Sequence, residues 1–311
     1  MEDRLTRHLL TAAFWAVSAL LAPLLPGIVN RVKAFFAGRT GIPLLQGYRD
    51  IYKLLRKGAV YSRTTTWVFR LGPVLGLSAM LTALMMVPFA GHCALLAFEG
   101  DILVFAGLLA LARFLTVVSA LDTGSGFEGM GASREVQFAL FVEPAFFLAM
   151  AALMRQAGSL SLSGVYGALS LETWQAAGPV IALSAASLFL VFLAENARVP
   201  VDDPDTHLEL TMIHEVMVLD HSGPDFAYIS FSSCVKFWAL GALVAGLFLP
   251  KAGALPAWAH IIVFILILVL FAILVGTIES VLARLRLLKV PRMLMAASAF
   301  AILALILGAE F

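Results

Sequence analysis

Charge is scarce in this chain. Lys, Arg, Asp and Glu make up 13% of its 311 residues, whereas hydrophobic residues make up 61%. A soluble domain carries about 25% charged residues to keep its surface wet, so a soluble globular fold is excluded. Cysteine is scarce as well. Cys93 and Cys234 are the only two, too few for this chain alone to hold an iron–sulfur cluster. They are expected near opposite membrane faces, which argues against a disulfide. Neither sign of charge dominates, with 21 basic and 20 acidic residues. No basic face invites a nucleic acid. A phosphate-binding glycine loop is also missing. The run GSGFEGMG (Gly124–Gly131) falls between apolar segments and lacks the strand-to-helix setting of a nucleotide fingerprint. His214-Glu215 lacks the second histidine of a zinc-protease helix, because Val218 stands there.

What is plentiful is apolar sequence, in runs near the roughly 20 residues that cross a bilayer as a helix. Lipid cannot satisfy open backbone groups, so helices are the expected spanning elements. The expected class is all-α: a polytopic integral membrane protein, one membrane domain over 1–311, with about eight transmembrane helices and an amphipathic interfacial helix. Spans are predicted at about 9–29, 71–90, 102–121, 134–154, 178–195, 233–249, 258–281 and 293–309. Pro23, Pro26 and Gly27 predict a bend near the end of the first. The N-terminal MEDRLTRHLL has no clear cleavage signal, so that span is expected to be retained. The glycines and serines of LDTGSGFEGMGASRE (Leu121–Glu135) predict a break, and 155–177 reads as a mixed loop.

Two polar stretches interrupt the apolar pattern. Residues 30–70 are basic. Within them Leu44, Leu45, Tyr48, Ile51, Tyr52, Leu54 and Leu55 recur at helical spacing, with Arg49, Asp50, Lys53, Arg56 and Lys57 on the remaining surface. That pattern describes a helix lying at the membrane interface, its basic side towards water or a partner. Residues 194–232 form the acidic counterpart. Ala194–Gly223 alone holds Glu195, Asp202, Asp203, Asp205, Glu209, Glu215 and Asp220, together with His207, His214 and His221. With eight spans, all Lys and Arg except Arg4, Arg7, Arg155 and Lys251 lie on or near the odd-numbered loops. The positive-inside rule then places the basic and acidic loops in the cytoplasm.

Several ionisable groups fall within or at the edges of spans: Arg113, Arg134, Glu135, Glu143, Glu195, Lys236 and Glu279. A charge near the bilayer centre costs at least about 2.5–3.5 kcal/mol, so these side chains should face protein, water or one another. Buried carboxylates biased by a nearby cation have tunable proton affinity. Glu143, Glu195 and the acids of 202–220 could therefore form a proton path, biased by Arg113, Arg134 or Lys236. His207, His214 and His221 are seven apart and would share one face of a helix. Imidazole could hand protons onward there. The same residues also fit helix-packing ion pairs and a solvated or partner-facing loop. Asp202, Asp203, Asp205 and His207 could bind a cation, but their spacing matches no standard loop.

Three stretches share one resemblance: RTGIPLLQGYRDIYKLLRKG (Arg39–Gly58), LDTGSGFEGMGASRE with FVEP (Leu121–Pro144), and ENARVPVDDPDTHLEL (Glu195–Leu210). Together they resemble the respiratory complex I subunit 1 family. The likeness is strongest to the branch found in formate hydrogenlyase and energy-converting group 4 hydrogenases. The resemblance implies an eight-helix anchor beside a peripheral arm. The implied partners are a nickel–iron hydrogenase-like large subunit, a small iron–sulfur subunit, a ferredoxin-like subunit and antiporter-like membrane subunits. No cofactor is expected in this chain, since the nickel–iron centre and iron–sulfur clusters would belong to those partners.

By the same resemblance, Glu143 stands at the family's mid-membrane glutamate and Glu195 at the glutamate closing the fifth span. Asp202 stands at the aspartate of the PFD motif and Glu209 at the last acid of the EAExEL motif. Asp205 and His207 replace that motif's first two glutamates. The buried charges and the resemblance together give a candidate proton path of Arg113, Arg134, Glu135, Glu143, Glu195, Asp202, Asp205, His207 and Glu209. Arg49, Asp50, Lys53, Asp220 and His221 are the implied partner surface. The alternatives are a structural anchor without an ion path and a quinone-linked subunit.

Overall fold

The computed structural model describes residues 2–202, 213–249 and 256–308, without the side chains of 2–8 and Ala257. Eleven α-helices are described: α1 (Glu2–Leu21), α2 (Leu24–Phe36), α3 (Gln46–Leu55), α4 (Trp67–Leu84), α5 (Asp101–Asp122), α6 (Gly126–Ala157), α7 (Leu162–Ala168), α8 (Leu171–Glu195), α9 (Gly223–Leu247), α10 (Ala257–Val281) and α11 (Val290–Leu307). Among the described residues, eight segments are long and apolar enough to cross a membrane. The protein is an all-α, multi-pass membrane protein.

The first span, Leu9–Phe36, contains α1 and α2, which part around Pro23. Besides α8, two other spans begin well before hydropathy predicts. α6 starts at Gly126 rather than near 134, so most of GSGFEGMG is helical. α9 starts at Gly223 rather than near 233. In both, the early turns carry polar side chains that find partners inside the protein, so their hydropathy understates the helix. Residues 155–177 resolve into the short helix α7 and the first turns of α8, which a Ser170–Thr173 capping box starts. α8 departs from helical geometry at Ala177, two residues before Pro179.

Lipid offers no hydrophobic drive for helices to associate, so close packing and interhelical hydrogen bonds must hold them. α4 packs along α5, and α11 packs along α6 and α8. At Gly72 a Cβ would overlap Ser119 Oγ, which is how α4 approaches α5 so closely. Ser187 Oγ donates to Ala297 O at 2.8 Å, joining α8 to α11, and Tyr166 OH donates to Leu243 O at 2.6 Å.

The loops gather at two ends. At one, buried Asp101 accepts from Ser161 Oγ at 2.8 Å and from Leu162 N at 2.7 Å. At the other, the basic and acidic loops touch, with Val60 N donating to Ser222 Oγ at 3.0 Å. Gly223 makes that contact possible. Its φ is +54°, and a Cβ there would lie 2.7 Å from Gly58 O. Gly223→Ala should separate the two loops at a cost of about 1–3 kcal/mol, detectable as faster proteolysis of residues 56–66.

A charged cluster between two cavities

Five charges from four helices converge near the middle of the bundle. Arg113 extends from the interior of α5 and reaches three carboxylates. Its Nε lies 3.3 Å from Glu135 Oε1, Nη1 donates to Glu143 Oε1 at 2.6 Å, and Nη2 donates to Glu195 Oε1. Glu135 and Glu143 lie eight residues apart on α6 and turn to the same side. Glu195 ends α8. Lys236 on α9 reaches Glu195 Oε2 at 3.8 Å. A guanidinium suits this position because its fork of five N–H donors can serve several carboxylates at once. Two cations face three carboxylates, so the fully ionised cluster is one negative charge in excess.

Two cavities meet at this cluster. The larger, about 320 Å³, is lined by Arg113, Glu135, Asp202, Arg198, His214 and Lys236. The smaller, about 240 Å³, is lined by Arg113, Glu143, Glu195 and apolar side chains including Phe146 and Phe147. Arg113 borders both. It separates Glu135 on one side from Glu143 and Glu195 on the other. The side chains of Arg113, Glu135 and Glu195 are about one-tenth exposed or less, but that of Glu143 is 47% exposed. Within a spanning helix such a carboxylate is held by its ion pair with Arg113 and by the cavity it lines.

A second ion-pair group braces the larger cavity. The Glu279 side chain is fully buried, with Lys33 Nζ at 3.2 Å and Arg198 Nη1 at 3.4 Å. Arg198 also lies 5.1 Å from the Phe237 ring centroid. Arg284 Nη2 lies 2.8 Å from Asp202 Oδ1. Asp202 Oδ2 accepts from Ile213 N at 3.2 Å and His214 N at 3.4 Å. Asp202 thus ties together the residues on either side of 203–212. Asp203, Asp205, His207 and Glu209 lie outside the described residues.

The seven-residue spacing does not put His214 and His221 on one helix face. Residues 215–218 form a single 3-10 turn, and the two described histidines part company. His214 Nδ1 lies 3.4 Å from Glu135 Oε2. His221, expected on the partner surface, is 7% exposed and stacks on Phe69 with ring centroids 3.9 Å apart. Burial lowers its pKa from 6.5 to about 4. The protonated form is therefore disfavoured in the folded state, and stability present above pH ~6.5 is lost as pH falls towards ~4. That loss is on the order of 3 kcal/mol. Acid should loosen the Ser222–Val60 contact, and His221→Leu should abolish that pH dependence in proteolysis of the loop.

Of the other expected positions, Arg49, Asp50, Lys53 and Asp220 are exposed. Arg134 Nη2 lies 3.0 Å from Met130 Sδ, one turn back on α6. Glu128 was not singled out by the sequence. It is 1% exposed and accepts from Thr123 Oγ1 and, at 3.1 Å, from Asp220 N. A carboxylate in a glycine-rich run reads as loop polarity, and only its burial marks it. Among the described residues, no group of three or more His, Cys, Asp or Glu is arranged to hold a metal ion.

Residues 9–309 match the NADH dehydrogenase family. The chain belongs to that family, in the complex I subunit 1 superfamily. It is 32% identical over 293 residues to formate hydrogenlyase subunit 4 of Escherichia coli K12, covering 92% of this chain and 94% of that protein. It is also 32% identical over 270 residues to hydrogenase-4 component C of the same organism, covering 85% and 84%. Among solved structures, it resembles a chain of the archaeal membrane-bound sulfane sulfur reductase. That match has a TM-score of 0.82 and 19% identity, and covers 98% of this chain and 99% of the other. This likeness bears on the fold alone.

Proposed function

We propose that this chain is the membrane anchor subunit of a hydrogenase- or formate hydrogenlyase-like complex in a bacterial or archaeal cytoplasmic membrane. It couples electron transfer in a peripheral arm to translocation of protons or sodium ions. The arm docks on the end that carries the basic and acidic loops, which faces the cytoplasm. It contains a nickel–iron large subunit, a small iron–sulfur subunit and a ferredoxin-like subunit. Those partners hold the redox centres, and this chain holds none. The half-exposed Glu143 meets an antiporter-like membrane subunit.

The observation that carries this reading is the position of Arg113. It borders both cavities and binds carboxylates on each side, so a charge change on one side alters the pairing on the other. A reduction step in the arm shifts the acidic loop. The loop shifts Glu135, Arg113 redistributes its bonds, and the proton affinities of Glu195 and Glu143 move with it. The likeness to formate hydrogenlyase subunit 4 and hydrogenase-4 component C supports the choice of partner complex.

Glu143→Gln tests the coupling. The amide keeps a hydrogen bond to Arg113 but loses the charge and the exchangeable proton. Electron transfer in the purified complex should stay within about twofold of wild type, while ion transport per electron in proteoliposomes falls at least about tenfold. Unchanged transport would leave this subunit as a structural anchor.

A further inference from the structure

The larger cavity reaches the charge cluster at Arg113, Glu135 and Lys236, and the imidazole of His214 lies against the Glu135 carboxylate. Its Nδ1 lies 3.4 Å from Glu135 Oε2, an ion-pair distance that a shift of about 0.5 Å would close to an ordinary hydrogen bond. The side chain is 33% exposed and lines the cavity, so it meets both the protein and the cavity contents. Its position is built from two sides. Asp202 accepts the His214 and Ile213 amides. The turn that follows is seated on α6 at Gly131, where a Cβ would overlap Val216 Cγ1 and lie 2.9 Å from Ile213 O. Gly131 is one helical turn from Glu135.

We propose that His214 is the proton-exchange residue through which the larger cavity charges and discharges the Arg113 cluster. The inference rests on the ion-coupling reading and adds a named donor to it. The charges explain why a donor belongs there. With Arg113 and Lys236 ionised against Glu135, Glu143 and Glu195, the cluster has one negative charge in excess. One proton, on His214 or on a carboxylate, neutralises it. The imidazole meets Glu135 on α6, and the cavity it lines also carries Arg113 on α5, Lys236 on α9, Arg198, Asp202, Glu215 and His221.

The step balances without another reactant. The imidazole, carrying its proton on Nδ1, takes a second proton at Nε2 from hydronium carried by water in the cavity, which leaves as neutral water. It then releases the Nδ1 proton to Glu135 Oε2, so the imidazolium becomes neutral imidazole and the carboxylate becomes a carboxylic acid. A half-turn of the ring about χ2, open to a partly exposed side chain, returns the protonated nitrogen to Glu135. The protonated Glu135 weakens its hold on Arg113, which then favours Glu143 and Glu195.

The test uses the whole complex with its redox arm, reconstituted in proteoliposomes and driven by reduced methyl viologen, with luminal pH and sodium followed. His214→Gln should lower ion transport per electron on the order of a hundredfold, with electron transfer within about twofold of wild type. His214→Ala should show the same loss, and added imidazole should restore transport in it but not in His214→Gln. Wild-type coupling in both variants, or failure of imidazole to restore His214→Ala, would overturn the proposal. Coupling kept in His214→Gln but lost in Glu143→Gln would remove His214 from a relay that still exists. Coupling kept in both would remove the relay itself.

Discussion

Arg113→Met is expected to be the most damaging single substitution in this protein. It should lower stability by about 3–5 kcal/mol, read as a lower unfolding temperature and poor recovery of the complex from detergent. Arg113 is the shared partner of Glu135, Glu143 and Glu195, two of which are nearly inaccessible. Methionine fills a similar volume but leaves those carboxylates with Lys236 as the nearest cation, 3.8 Å from Glu195 alone. The carboxylates must then take up protons or draw in water, and either disrupts the packing of α5, α6 and α8. Adding Glu195→Gln to Arg113→Met should recover part of the loss, because one uncompensated charge disappears. Arg113→Lys makes the complementary point. It keeps the charge but not the planar fork, so assembly should survive while coupling fails. An Arg113→Met protein as stable as wild type would show that the carboxylates are held neutral and that the cluster is not ionic.

Gly131→Val should produce the second largest effect, by moving a loop that the substituted residue does not belong to. In an exposed helix, replacing glycine usually stabilises, by up to about 1 kcal/mol. Here that gain is outweighed. A Cβ at position 131 meets the side chain of Val216, and the Ile213 carbonyl behind it is backbone, which cannot rotate away. Overpacking of this kind costs about 1–3 kcal/mol, and valine's two further methyls take it to the upper end. The strain is relieved by lifting residues 213–218 off α6, which draws His214 away from Glu135. Hydrogen exchange of residues 213–218 should rise while the rest of α6 is unchanged, and ion transport per electron should fall with it. Unchanged exchange in 213–218 would mean that the turn is not seated on Gly131. Gly131→Ala should show the same effects in weaker form.

Much of the site was legible because burying charge in lipid is costly wherever it occurs. Arg113, Glu135, Glu143, Glu195 and Lys236 stand out in apolar sequence for that reason alone, and the structure brings these five together. Two kinds of residue were not legible. The beginnings of α6 and α9 were missed because hydropathy scores transfer into lipid, whereas Glu128 and Asp225 are buried against protein. The histidines were misread because a seven-residue interval implies a shared face only on a continuous helix. His214 and His221 are separated by one 3-10 turn, and one meets Glu135 while the other meets Phe69.

Sequence by itself determined the membrane class, the eight apolar segments, the bend at Pro23 and the set of charges that must find partners. Each of these follows from local physics: the length of an apolar run, the missing amide of proline, the transfer cost of an ion. Tertiary structure alone decided which charges pair. Arg113 finds Glu143 and Glu195 across 30 and 82 residues of chain, and Val60 finds Ser222 across 162. Glu279 pairs with Lys33 and Arg198 instead of joining the Arg113 cluster. An ion pair reaches only a few ångströms, and no local pattern encodes which helix faces which. The packing of α5, α6, α8 and α9 sets those distances, and so turns scattered charges into one cluster between two cavities.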